Sequence, residues 1–222
     1  MKRSDLVIVP TQYTRREVGE LFPWLPPARI KQIYYGADHL TKPAATTASP
    51  FPEPFFLYVG VLKPIKNIAL LFASFATLLA SPAYGRFRLV CLGDREKAYF
   101  ELLKKSPAFG RIKSRVTFID SVSDAVLSSY YSRARAVLNL SREEGFAFPV
   151  VEAAAMGTPV IVSDLPLYHE FRPYFPNLLP VKNTEGVLKA VQRLKDLPRQ
   201  KPLAAHPFTW KNFMASLVSL TV

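Results

Sequence analysis

Residues 141–162 read SREEGFAFPVVEAAAMGTPVIV, and the fold turns on how this stretch is read. It follows one apolar run, AVLNL (136–140), and ends within another, PVIVS (159–163). Between them a helix opens at about Pro149, where a proline fits because the amide it lacks would be unpaired in a first turn. Strands that are apolar throughout, joined through a helix, mark a parallel sheet covered on both faces.

The same alternation extends in both directions. FFLYV (55–59) precedes an apolar helix from about Lys66, and RLVCLG (88–93) precedes a polar helix near 95–104. VTFI (116–119) precedes a helix near 124–133. NLLPV (177–181) precedes a helix from Asn183 or Thr184, with Val187, Leu188, Val191 and Leu194 on its buried stripe. The reading is an α/β, doubly wound, Rossmann-like domain over residues 55–198. Residues 1–40 repeat the theme once, as LVIVP and a helical TRREVGELF. Residues 41–54, rich in Pro, Ala, Thr and Ser, read as a linker. Residues 199–222 read as a Pro/Lys tail and a terminal helix, WKNFMASLVSL. Neither end is expected to form a sheet alone. Both read as attachments to something else or to each other.

Composition narrows the classes. The chain has 222 residues, 49% hydrophobic and 21% charged, the profile of a folded domain. Ile68 to Ala80 is a nearly apolar run of 13 residues, short of the ~20 that span a bilayer. Cys91, the single cysteine, lies in an apolar run and suits a reducing compartment. His39, His169 and His206 match no metal-ligand spacing. No secretory signal is expected from MKRSDLVIVP, so the expectation is a cytoplasmic protein, peripheral at most to the inner face of a membrane. The net charge of +12 is scattered over Lys2-Arg3, Arg15-Arg16, Arg111-Lys113-Arg115 and Arg133-Arg135. It reads either as a solvated basic surface or as attraction to phosphates or an anionic membrane. No aromatic–basic ladder is seen, and a nucleic-acid partner is not expected.

The chemistry concentrates after strand 136–140. The amides of Gly145, Phe146, Ala147 and Phe148 stand at a helix start, where N–H groups and the helix dipole attract a diphosphate. Glu152, in the early helix, can face the same cleft, and its carboxylate can accept both hydrogen bonds of a ribose diol. Glu144, in the loop, can meet a sugar ring.

EGFAFPVVEAAAMGTPVI (144–161) resembles the E-x7-E segment of retaining glycosyltransferases of GT-B fold, the "glycosyl transferases group 1" family, with Glu144 and Glu152 on its two acids. YVGVLKPIKN (58–67) resembles that family's donor loop, FIDSVSD (118–124) its loop beside the base, and IYYGAD (33–38) the stretch entering the donor domain. VIVPTQYTRREV resembles the last strand and helix of the acceptor domain. The resemblance implies that the substrate is a nucleoside-diphosphate sugar, such as a UDP- or GDP-sugar, with no metal and no cofactor. It implies that Lys66 neutralises the diphosphate and Gly60 lets the backbone approach it. Glu144 then contacts the transferred sugar, Glu152 holds the ribose, and Val122 covers the base through backbone contacts. Lys63 is a candidate second cation.

Three positions depart from the family pattern: Val61 and Ile65 where arginine is common, and Ala147 where glycine is usual. Residues 1–40 match only the end of an acceptor domain, so donor binding with little transfer is expected unless an acceptor domain is supplied in trans. The acceptor (glycan, lipid or protein) is left open. His169-Glu170 aligns roughly with a family glutamate near the cleft, and Asp94 either lines the cleft or begins a helix. Phe208 and Trp210 are expected to pack the terminal helix. The alternatives are a non-catalytic nucleotide-sugar-binding or assembly module, and a basic domain for nucleic acid or anionic membrane.

Overall fold

In a computed structural model, residues 5–40, 51–197 and 206–220 are described. Most of the expected linker and of the Pro/Lys tail lies outside them. The chain runs β1 (Val7–Val9), α1 (Gln12–Leu21), β2 (Ile30–Gln32), β3 (Phe55–Val59), α2 (Ile68–Leu79), β4 (Arg88–Leu92), α3 (Lys97–Lys104), α4 (Pro107–Ile112) and β5 (Val116–Ile119). It continues with α5 (Asp124–Arg133), β6 (Val137–Asn139), α6 (Phe148–Ala155), β7 (Val160–Ser163), α7 (Pro166–Phe171), β8 (Leu178–Val181), α8 (Thr184–Arg193) and α9 (Trp210–Val218).

Six strands form one sheet in the order β5-β4-β3-β6-β7-β8, every pair parallel. The order reverses between β3 and β6, the switch point at which open α/β sheets bind ligands. Successive side chains of a strand point to opposite faces. Leu57, Val90, Val137 and Val160 therefore join one core under α5 and α6, while Phe56, Leu89, Leu138 and Ile161 join the other under α2 and α8. Both faces are dry, which is why these strands lack polar alternation.

Local chemistry sets the helix starts. Asn183 Oδ1 accepts from Gly186 N, Ser106 Oγ from Phe109 N, and Thr209 Oγ1 from Asn212 N, each satisfying an amide the helix leaves unpaired. Asn67, at φ 53°, turns a short 3-10 segment, Pro64–Lys66, into α2.

Three elements were not anticipated: α4, α7 and β2. The last corrects the expectation that neither end forms a sheet, since β1 and β2 pair in parallel from Val7↔Ile30 to Val9↔Gln32. The two ends do attach to each other. Ala37 N donates to Phe208 O, and Trp210 N to Asp38 Oδ1. Phe208 belongs to the main core, not to the terminal helix alone.

Candidate functional site

Two loops leave the carboxyl ends of the switch-point strands and face each other. The first follows β3. Gly60 has φ 140°, and its carbonyl would lie 2.5 Å from a Cβ at Gly93, so the β3 and β4 exits approach as only glycine allows. Tyr58 Oη donates to Val61 O at 2.9 Å, and Leu62 N to Asp94 O at 2.8 Å. The backbone of Asp94 thus braces this loop. The second loop follows β6 and is tied to the first by Arg142 N donating to Ile65 O at 2.8 Å.

This bracing brings Lys66 Nζ to 2.7 Å from Glu144 Oε1. Ser141 Oγ lies 2.7 Å from the same oxygen and 2.8 Å from Asn139 Oδ1. A hydroxyl has one hydrogen to donate, and given to Glu144 it makes a second hold on that carboxylate. Lys66 and Glu144, with Lys63 and Gly145, line a cavity of about 350 Å³ completed by Ile65, Glu143, Tyr13, Thr14 and Glu17. The last three come from α1. Thr11 and Thr14 explain its position, because their hydroxyls both donate to Gly145 O at 3.0 Å. The cavity wall carries three carboxylates and two ammoniums, so side-chain charge alone does not favour an anion there. An anion at this place depends on backbone amides.

Those amides belong to the start of α6. Ala147 precedes it in the left-handed region, φ 59°, buried and non-glycine. Among the described residues the N–H groups of Gly145, Phe146, Ala147 and Phe148 have no backbone acceptor. The side chains of Phe146 and Phe148 face elsewhere. Phe146 packs on Phe171 and Phe208, and Phe148 stacks on Tyr35 at 5.7 Å and 4°.

Glu152 occupies a separate neighbourhood and does not line that cavity. Tyr131 Oη donates to its Oε2 at 2.6 Å, and His39 Nε2 stands 3.5 Å from its Oε1. Burial raises its pKa, opposed by the Tyr131 hydrogen bond and by His39. Gly60 and the half-buried Val122, against the core, also stand outside the cavity lining. Glu170 is a strut: its carboxylate accepts from Gln12 N, Tyr13 N and Tyr34 Oη at 2.9, 3.0 and 2.7 Å. Tyr13, Thr14 and Glu17 carried no signal in the sequence, because their place depends on the tertiary packing of α1. Among the described residues no group of three or more His, Cys, Asp or Glu could hold a metal ion.

Residues 53–196 match the sequence profile of the family "Glycosyl transferases group 1". The chain belongs to that family. Similar proteins include the serotype-specific mannosyltransferase WbdA of Escherichia coli, 30% identical over 75% of this chain and 21% of the relative. The O-antigen chain mannosyltransferase RfbU of Salmonella typhimurium is 33% identical over 65% of this chain and 40% of the relative. The chain thus spans only about a fifth to two fifths of the length of these curated glycosyltransferases. Its fold is that of GT-B glycosyltransferase structures. A sucrose-phosphate synthase from Thermosynechococcus elongatus superposes with TM-score 0.72 and 24% identity, covering 99% of this chain and 58% of the other. HepE of Anabaena, in complex with UDP and glucose, superposes with TM-score 0.74 and 17% identity, covering 98% and 64%. Among the described residues no helix of this glycosyltransferase domain is long and apolar enough to cross a membrane.

Proposed function

We propose that the chain is the donor-binding half of a retaining sugar transferase and holds a nucleoside-diphosphate sugar across the β3–β6 crevice. The observation that carries this reading is the meeting of Lys66 and Glu144 in one cavity with Gly145, which opens a run of four amides without a backbone acceptor among the described residues, where the strand order reverses. In this reading the amides and Lys66 neutralise the diphosphate, with Lys63 as the second cation. Glu144 meets the transferred sugar near its reacting carbon, and Glu152 holds the ribose. Gly60 gives the backbone close access, and Val122 covers the base. Positioning and stabilisation of the leaving diphosphate supply the catalysis, without a metal. Relatives named as mannosyltransferases make a nucleoside-diphosphate mannose the first donor to test. In this reading residues 5–40 belong to the end of an acceptor domain, and transfer needs an acceptor domain beside the donor half.

Calorimetric titration with UDP, GDP and their mannose or glucose esters tests the reading. Lys66→Ala is expected to weaken diphosphate binding at least tenfold, the scale of one charge-assisted hydrogen bond, about 1.5–3 kcal/mol. A wild-type chain that binds no nucleoside diphosphate, or a Lys66→Ala chain that titrates like wild type, overturns it. The pairing of Lys66 with Glu144 favours a second reading, a binding module without transfer, because each group occupies the other. Assay with an acceptor domain supplied separates the two: turnover in wild type that Glu144→Gln abolishes supports the first, and nucleotide-sugar binding with no turnover in wild type supports the second.

A further inference from the structure

The sheet's opposite end carries a feature that nucleotide-sugar binding does not use. Residues 104–115, KKSPAFGRIKSR, contain Lys104, Lys105, Arg111, Lys113 and Arg115 and no acid. The segment comprises the end of α3, all of α4 and the residue that leads into β5. Leu103 and Ile112 are buried, which fastens it to the core and turns its cations outward. Lys105, Arg111 and Lys113 are exposed. Lys104 pairs with Glu101 at 2.6 Å. Among the described residues the other four cations have no carboxylate within ion-pair distance. Arg115 precedes the first residue of edge strand β5, at the amino end of a parallel sheet whose carboxyl ends face the crevice.

We propose that this surface docks on an anionic lipid bilayer, an inference that stands apart from the nucleotide-site reading. Clustered cations are attracted to anionic headgroups, each worth roughly a fivefold change in partition near the surface. Leu102, 66% exposed beside Lys105, offers the apolar contact that an interface accepts. The neighbouring rings are not free for stacking on bases: Phe109 packs against Phe72 and Phe118, and Phe100 against Phe118. A single-stranded nucleic acid would find charge here but no stacking platform.

Co-sedimentation with phosphatidylcholine vesicles, with and without phosphatidylglycerol, tests the proposal. The wild-type chain is expected to partition onto the anionic vesicles only, and to be released as added salt shortens the screening length. Neutralising Lys105, Arg111, Lys113 and Arg115 together to Gln is expected to lower that partition by roughly several hundredfold. Neutralising four exposed cations elsewhere, Lys182, Lys189, Arg193 and Lys195, is expected to spare most of it. The proposal is overturned by equal loss in the two variants, which marks net charge as the cause, or by no anionic binding in wild type. A preference for RNA over vesicles also overturns it. Cooperative urea unfolding of both variants with the wild-type midpoint confirms that each is folded.

Discussion

Ala147 concentrates the strain of the site loop in one residue. An L-residue in the left-handed region bears about 1–2 kcal/mol, which its single methyl survives. Ala147→Val adds a branched Cβ to the same conformation and is expected to cost about 2 kcal/mol or more. Ala147→Gly relieves strain but loses a buried methyl and is expected to stay within about 1 kcal/mol. Urea titration of both measures the difference. Glu152 carries a different tension. Its folded pKa is raised above 4.5 by burial, so the native state binds more protons than the unfolded chain between 4.5 and the raised value, and stability falls as pH rises through that window. Glu152→Gln keeps an acceptor for Tyr131 and removes the ionisation. The expected outcome is a flatter profile of melting temperature against pH, with nucleoside diphosphate binding weakened. The proposed acids, Glu144 and Glu152, are picked out in the sequence by their spacing around a helix start together with Gly145, Pro149 and the strand that follows. Their partners are not. His39 and Tyr131 reach Glu152 from distant parts of the chain, and only packing brings them there.

At the scale of elements, the contact between α7 and α1 rests on Glu170. Its three hydrogen bonds include two from the first turn of α1, where a carboxylate also meets the positive end of the helix dipole. Glu170→Ala is expected to destabilise the chain by about 1–3 kcal/mol and to speed hydrogen exchange first at the amides of Gln12 and Tyr13. Exchange mapped by mass spectrometry reads this directly. In the sequence Glu170 reads either as part of the scaffold or as an acid near the cleft, and its partners on α1 are visible only in the fold. The six strands of the main sheet were legible because parallel strands buried on both faces are continuous apolar runs. Elements α4 and α7 were not, because six residues are too few to display a helical stripe. Strand β2, IKQ, is a three-residue strand with no apolar run.

At the scale of the molecule, Phe208 joins the far end of the sequence to the core. Phe208 is fully buried, with ring centroids 4.7 Å from Tyr34 and 5.2 Å from both Phe171 and Phe175. Phe208→Ala is expected to cost about 3–5 kcal/mol in equilibrium unfolding, a core-sized loss from a residue that reads in the sequence as tail. The sheet itself divides into two runs of neighbours, β3-β4-β5 and β6-β7-β8, each joined by single crossovers. They meet at one pair, β3 with β6, registered through Leu57↔Val137. Pairing across so long an intervening chain is entropically late, so each run is expected to collapse first and the joint to zip last. The crevice straddles that joint. A donor gripped from both sides would act as a rivet, raising the unfolding temperature with the logarithm of its concentration above the dissociation constant and slowing the parting of the two halves.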